Sequence, residues 1–240
     1  VGVGSACLIS PLRATMDSER DPARSIHPRD VLHIRTLRAP LDALFVSPEM
    51  MSLTALAVSF AIVQGCLFSF SVTYLTRNGL DLVQAGIAYT GLQGAGVFAR
   101  IFLGWLADRT GRPVHNLVAQ AFVAAAAVAA YGLLPQGAGL LPTALLAMLA
   151  GFFGCSWNGI TLAEVARLSA PERIADATSG STLFIFVGYV VGPSLFARFG
   201  PGLGWHLPFM LGVAALAAMA VVQCAILWRR GRTRRSGSGL

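Results

Sequence analysis

Charged residues between two long apolar runs stand out in the stretch GWLADRTGR, which extends from Gly104 to Arg112. A carboxylate on Asp108 and the guanidinium groups of Arg109 and Arg112, all close to a helix end, are suited to ion pairs between neighbouring helices. Gly111 supplies a backbone conformation that other residues resist, and Gly104 allows a neighbouring helix to approach closely. This chemistry predicts a latch that opens when helices move.

Three more charged residues belong to the apolar segments: Arg100 lies inside the second, and Glu164 and Arg167 lie at the end of the fourth. A charge at the depth of Arg100 costs about 2.5–3.5 kcal/mol. Arg100 either reaches the cytoplasmic headgroups or faces the helix bundle, where it pairs with an acid or an anionic substrate. Glu164 and Arg167 are three residues apart and share a helix face, which predicts at least a local ion pair.

Uncharged polar residues within the apolar runs are candidates for a substrate path, because polar groups inside a membrane mark such paths. The candidates are Gln64, Gln93, Trp157 and Asn158. Each one alternatively hydrogen-bonds a neighbouring helix. Gly188 and Gly192, four residues apart, predict close helix packing. The adjacent Pro193 predicts a bend.

Signatures of catalysis or of metal binding are missing from the sequence. It contains neither H-E-x-x-H nor G-x-S-x-G, and no phosphate-binding loop with a lysine. The four histidines are scattered, and no cysteines form a C-x-x-C pair. We therefore expect no enzyme, no metal site and no cofactor.

The composition points to lipid as the solvent. Hydrophobic residues make up 55% of the 240 residues and charged residues 12%, whereas soluble domains carry about a quarter charged residues. The net charge of +7 comes from arginines spread between apolar runs. A nucleic-acid interface would cluster them instead, so we expect membrane lipid and no nucleic acid as a partner.

Six apolar segments, each near the roughly 20 residues that cross a bilayer, predict an all-α membrane protein. They lie near 51–75, 84–107, 115–134, 141–165, 177–199 and 205–228. These runs do not alternate as barrel strands would. We expect this organisation: the end of a preceding transmembrane helix at 1–12, a cytoplasmic linker at 13–49 with a surface helix or a plain solvated segment near 31–45, a six-helix domain at 50–228, and a basic cytoplasmic tail at 229–240.

The arginines also predict the orientation. The linker, the turns after the second and fourth helices, and the tail hold nearly all of them, whereas the opposite side holds Arg77 and Arg198. The positive-inside rule makes the arginine-rich side cytoplasmic. Both ends of the six-helix unit are therefore expected to be cytoplasmic in a cell inner membrane.

The motif G-x-L-A-D-R-x-G-R at 104–112 resembles the cytoplasmic loop signature of the major facilitator superfamily. The resemblance implies a secondary active transporter of small molecules that works by alternating access, with a loop aspartate that pairs with an arginine at the level of Arg167. By that analogy Asp108, Arg167 and Glu164 form a charge relay, with Arg100 nearby.

The charged linker, the apolar run before it and the basic tail favour the C-terminal six-helix half of such a transporter. Residues 157–196 are similar to its tenth and eleventh helices. The N-terminal half is then a missing partner, and the chain is a fragment or part of a split protein. Two alternatives stay open. Gly188, Gly192 and Pro193 resemble a fifth-helix motif of drug antiporters, which favours a first half. A non-transporting sensor or scaffold on the same fold is the other alternative.

Overall fold

The structure is a computed structural model that describes residues 40–42, 44–45 and 47–237. The predicted helix end at 1–12 and most of the predicted linker lie outside these residues. Of the predicted surface helix near 31–45, residues 40–42, 44 and 45 are described; 40–42 and 44 are helical, 45 is a turn, and the Leu44 side chain is buried.

From residue 48 onward the described chain is helical and contains no strand. The helices are α1 (Pro48–Arg77), α2 (Leu82–Thr110), α3 (Pro113–Gly132), α4 (Leu140–Gly154), α5 (Asn158–Leu168), α6 (Ile174–Leu203) and α7 (Leu207–Gly237). A short 3₁₀ turn, Pro171–Arg173, precedes α6.

Local sequence signals explain where α1 and α2 begin and end. Ser47 caps α1 by accepting a hydrogen bond from the Met50 backbone N–H. Asp81 opens α2 with a reciprocal capping box to Gln84. Gly111 closes α2 with φ of +61°, a left-handed conformation that glycine adopts without a steric penalty.

These helices correspond to the six predicted spans, of which the fourth is made of α4 and α5 together. By length and apolar composition, five stretches of the described chain qualify as membrane-crossing: α1, α3, the α4–α5 pair, the 3₁₀ turn with α6, and most of α7. The second predicted span is present as the 29-residue helix α2 but does not qualify. Its interior carries Gln84, Gln93 and Arg100, which lower its apolar content.

The packing of the six spans repeats after the third one. The most extensive contacts pair span 1 with span 5 (α1 with α6) and span 4 with span 2 (α4 with α2). Span 3 (α3) packs on span 4, and in the same way span 6 (α7) packs on span 1 (α1). Spans 3 and 6 also pack on each other. Because each repeat has three spans, the second repeat enters the membrane from the opposite side and is inverted relative to the first. This is the inverted-repeat organisation of transporter folds.

Helix α1 lies at the centre of the unit. In its most apolar stretch 61% of residues are buried, against 22% for α7. It contacts α6 and α7 extensively and α2, α4 and α5 to a smaller extent. Large apolar side chains on the outer faces of α2 and α6 are exposed, among them Phe98, Ile101 and Val190. In a membrane these faces meet lipid or another protein surface.

Glycines create close contacts between helices of the unit. On α4 a Cβ at Gly151 would collide with the Leu92 carbonyl of α2, and on α6 a Cβ at Gly192 would collide with the Ile62 carbonyl of α1. At Gly188 it would come within 2.7 Å of the Val58 carbonyl oxygen. Backbone approaches backbone at these positions because no side chain separates the helices.

The close contact expected at Gly104 is not made within the described residues. A Cβ there would have open space, with no atom within 4 Å. Gly104 therefore has no described helix against it, and close approach of a neighbouring helix at Gly104 stays a prediction. Pro193 lies inside α6, which continues through it as helix.

Candidate functional site

The fourth span is interrupted near its middle, and this break organises the polar side chains of the unit. Helix α4 ends at Gly154, α5 begins at Asn158, and the residues between them are not helical. A break leaves backbone carbonyls without their helical partners, and inside a membrane these need other donors. Two of them bind side chains from neighbouring helices: Arg100 reaches the Cys155 carbonyl, and Gln120 reaches the Phe153 carbonyl.

Gln64 of α1 lies at the centre of the polar cluster. Its Oε1 accepts one hydrogen bond from Trp157 Nε1 at 3.0 Å and another from the Tyr189 hydroxyl of α6 at 2.9 Å. Gln64 and Trp157 are buried, and the indole stacks on Phe60 with ring centroids 5.6 Å apart. One amide oxygen thus joins α1, the break in the fourth span, and α6.

Asn158 extends the cluster toward the accessible side of the unit. Its Nδ2 lies 3.4 Å from the Tyr189 hydroxyl, and both side chains are half-buried. We call Gln64, Trp157, Asn158 and Tyr189 the break cluster. Three of the four predicted substrate-path residues belong to it.

Gln93, the fourth predicted substrate-path residue, lies outside the break cluster. Its Nε2 donates to the Tyr89 hydroxyl at 3.3 Å, and that hydroxyl donates to the Phe68 carbonyl of α1 at 3.1 Å. This pair ties α2 to α1 by hydrogen bonds. Gln93 remains half-buried.

Arg100 lies beside the same break. Its Nε donates to the Cys155 carbonyl at 3.3 Å. The residue is exposed on the surface of the six-helix unit, and among the described residues no carboxylate lies within 4 Å of its guanidinium. Arg100 therefore does not contact the predicted relay acids in this structure.

Sequence reasoning gave little weight to Tyr189 and missed Tyr89 and Ser156. Tyr189 shares a helix face with Pro193, and the missing N–H of a proline frees the carbonyl four residues earlier. That carbonyl belongs to Tyr189, and it faces Gly65 at 3.0 Å from the place where a Cβ would stand. Ser156 accepts from Gln120 Nε2 at 3.0 Å and donates to the Phe152 carbonyl.

A cavity of about 450 Å³ opens between α5 and the first half of α6, beside the break cluster. Three hydroxyl-bearing residues of α6, Thr178, Ser179 and Thr182, contribute to its wall. The other lining residues are Leu162, Leu183 and Phe186. Asn158 lies one helical turn from Leu162 and Tyr189 one turn from Phe186, so the cavity leads toward the pair that they form.

At the end of the unit that holds the motif at 104–112, the described residues form only one of the two predicted contacts of the relay. Arg167 binds Glu164 through Nε at 3.0 Å and through Nη2 at 2.7 Å. Glu164 is buried, whereas the Arg167 side chain is 67% exposed. Asp108 is exposed and forms no ion pair within the described part of the chain. The expected Asp108–Arg167 contact is therefore absent here.

The other motif residues are also placed at this end. The Arg109 guanidinium lies over the Trp105 ring, 5.6 Å from its centroid, a favourable cation–π geometry. Arg112 occupies the N-cap position of α3 and makes no side-chain capping bond. Among the described residues, no three His, Cys, Asp or Glu side chains are grouped so that they could hold a metal ion.

A comparison with family models gives one match. The model described as Major Facilitator Superfamily matches residues 2–163. The match includes the motif at 104–112, the first three spans, and the broken fourth span as far as Ala163 of α5.

Proposed function

We infer that this chain, which belongs to the Major Facilitator Superfamily of membrane transporters, carries a small solute by secondary active transport with alternating access. The break cluster is the observation that supports this most. Discontinuous helices with polar side chains near the bilayer midplane are where transporters bind substrates. Here one glutamine oxygen links three spans, so a solute that displaces either donor changes how those spans pack.

We propose that the chain is the C-terminal half of its transporter. The family match begins at residue 2, ahead of the first span, and runs through the predicted linker, which supports a position after an earlier part of the fold. The exposed apolar faces of α2 and α6 then meet the missing N-terminal half. The solute binds between the two halves, and membrane lipid covers the remaining outer faces.

The hydroxyl-lined cavity between α5 and α6 is the proposed cytoplasmic route to the break cluster. Thr178, Ser179 and Thr182 provide groups that can replace the water around a polar solute. Asn158 and Tyr189 lie deeper, next to Gln64. Asp108, Glu164 and Arg167 act as the latch of this route in the proposal.

Removing the amide of Gln64 tests the proposed site. In the intact transporter, reconstituted into proteoliposomes, we expect Gln64→Leu to lower the transport rate about tenfold. The change leaves the buried Trp157 N–H without an acceptor, and an unsatisfied buried donor costs about 1–3 kcal/mol. Initial rates of solute exchange, measured on a panel of labelled solutes with an imposed proton gradient, check the prediction.

Gln223→Leu is the matched control. Gln223 is also a buried glutamine, but it lies on α7 and donates to no residue of the break cluster. We expect it to change the rate by less than about twofold. Equal rates for wild type and Gln64→Leu would contradict the assigned site.

The proposed orientation in the inner membrane has its own test. Arg109, Arg112, Arg167 and Arg173 lie at one end of the helices, while Arg77 and Arg198 lie near the other end. The positive-inside rule therefore predicts that a fluorescent protein fused after Leu240 fluoresces and that alkaline phosphatase fused there is inactive. At Gln136, in the turn between α3 and α4, we expect an active phosphatase and no fluorescence. Reporters at both sites on the same side of the membrane would refute the topology.

A further inference from the structure

We propose that the transported solute is a small organic anion and that Arg100 binds its negative group. This inference rests on the proposed function and names the class of solute for the same site. It is drawn from the placement of Arg100 at the break in the fourth span, beside the residues of the break cluster.

Most of the N–H donors of Arg100 make no hydrogen bond to a described residue. A guanidinium carries five N–H groups in a planar fork, and the structure gives Arg100 a single hydrogen bond, from Nε to the Cys155 carbonyl. Neither terminal nitrogen donates to another described residue. The two terminal nitrogens form a fork that matches the two oxygens of a carboxylate or phosphate.

The Arg100 side chain is held well inside the length of α2, away from the end that carries the motif at 104–112. Arg100 stands ten residues before the end of α2, about 15 Å along the axis at 1.5 Å per residue. Cα–Cβ bonds tilt toward the N-terminus of a helix, which in α2 is away from the cytoplasmic end. Its Nε binds a carbonyl of the neighbouring α4 segment. The geometry thus favours the bundle-facing interpretation of Arg100 over contact with cytoplasmic headgroups.

No acid of this unit neutralises Arg100. Glu164 is occupied by Arg167, and Asp108 lies two helical turns further along α2, about 12 Å along the axis. A cationic side chain at this depth costs about 2.5–3.5 kcal/mol, and an anionic solute offsets part of that cost each time it binds. The charge of Arg100 is thereby complementary to the proposed ligand.

Neutral donors surround the same three-residue break. Asn158 follows it directly and presents an amide, and the Tyr189 hydroxyl lies 3.4 Å from that amide. The exposed Phe186 ring lies beside Tyr189, with ring centroids 6.3 Å apart, and forms an aromatic wall on the accessible side. One cation, neutral donors and an aromatic wall favour an anion with an apolar body over a bare inorganic ion.

The test uses the intact transporter in proteoliposomes and a labelled panel: benzoate, pyruvate and succinate as organic anions, inorganic phosphate, glucose as a neutral solute, and tetraphenylphosphonium as a cation. We expect saturable uptake of at least one organic anion. Arg100→Gln should lower kcat/KM for that anion about 30-fold, because removing one partner of a desolvated charge pair is costly. Arg100→Lys keeps the positive charge but loses the two parallel N–H groups of the guanidinium. It should therefore mainly raise the KM for the anion.

Arg198→Gln is the matched control, because it removes one arginine from α6, where the guanidinium lies over Phe199 and outside the break cluster. It should leave anion uptake within about twofold of wild type. Anion uptake unchanged in both Arg100 variants would overturn the proposal. Uptake of only glucose or tetraphenylphosphonium would overturn the anion class and leave the proposed function standing. Preference for phosphate would replace the organic anion by an inorganic one, and no uptake of any panel member would count against both proposals.

Discussion

Alanine in place of Gly151 is expected to lower the free energy of unfolding of the six-helix unit by about 3 kcal/mol. The new methyl group would occupy the space of the Leu92 carbonyl of α2. A backbone carbonyl inside a helix has no rotamer by which to move away, so α2 and α4 must separate along their contact. That contact is one of the two most extensive in the unit, and every apolar pair along it loses packing.

Buried thiols provide the measurement. Cys66 and Cys155 are buried, whereas Cys224 is exposed. With Cys7 and Cys224 replaced by serine, only the two buried thiols remain. Their reaction with a thiol-reactive dye, in detergent during heating, then reports the loss of packing around them. We expect Gly151→Ala to shift the midpoint to clearly lower temperature.

Gly159→Ala is the matched control on the same span. A Cβ at Gly159 has no neighbour within 4 Å, and alanine has a higher helix propensity than glycine by about 1 kcal/mol. The control should therefore melt at the wild-type temperature or slightly above it. Equal midpoints for Gly151→Ala and Gly159→Ala would show that the α2–α4 contact is looser than the structure indicates.

The helical class of this protein could be predicted from sequence because lipid leaves few alternatives. A backbone in hydrocarbon must satisfy its own hydrogen bonds, so long apolar runs become helices. The position of a helix end could also be predicted where one residue type determines it, as at Gly111 with its left-handed φ. The role of Gly104 could not, because the sequence does not show which side of α2 has a neighbour.

The break in the fourth span could not be predicted from the local sequence. Residues 155–157 contain no proline and no glycine, and the apolar run continues across them. The break is stabilised from outside its own helix: Gln64 comes from α1, Arg100 from α2 and Gln120 from α3. Side chains so far apart in sequence identify a site only after the spans are packed.

Loss of the Asp108 carboxylate tests the proposed relay of Asp108, Glu164 and Arg167. We expect Asp108→Asn to leave membrane insertion intact and to lower transport by the intact protein on the order of a hundredfold, a coupling near the upper end of typical values. In this structure Arg167 uses Nε and Nη2 to hold Glu164, and its Nη1 makes no bond to a described residue. We propose that the Asp108 carboxylate accepts a hydrogen bond from Arg167 Nη1 in another conformation of the transport cycle. Helices α2 and α5 contact each other and end on the same side, so a movement of one helix relative to the other is the step that would join the two groups.

Glu172→Gln is the control for the loss of one cytoplasmic acid, since Glu172 is exposed on the 3₁₀ turn and forms no ion pair with a described residue. It should transport at the wild-type rate, and Asp108→Glu should recover much of the activity that the asparagine variant loses.

A cysteine pair at positions 108 and 167 adds a readout that a purely local role would not produce. Under the proposal, oxidation cross-links the pair, and the cross-linked protein stops transporting until it is reduced. Full activity of Asp108→Asn, or absence of the cross-link in an otherwise active pair, would show that Glu164 and Arg167 form only a local ion pair at the headgroups, which is worth little to stability.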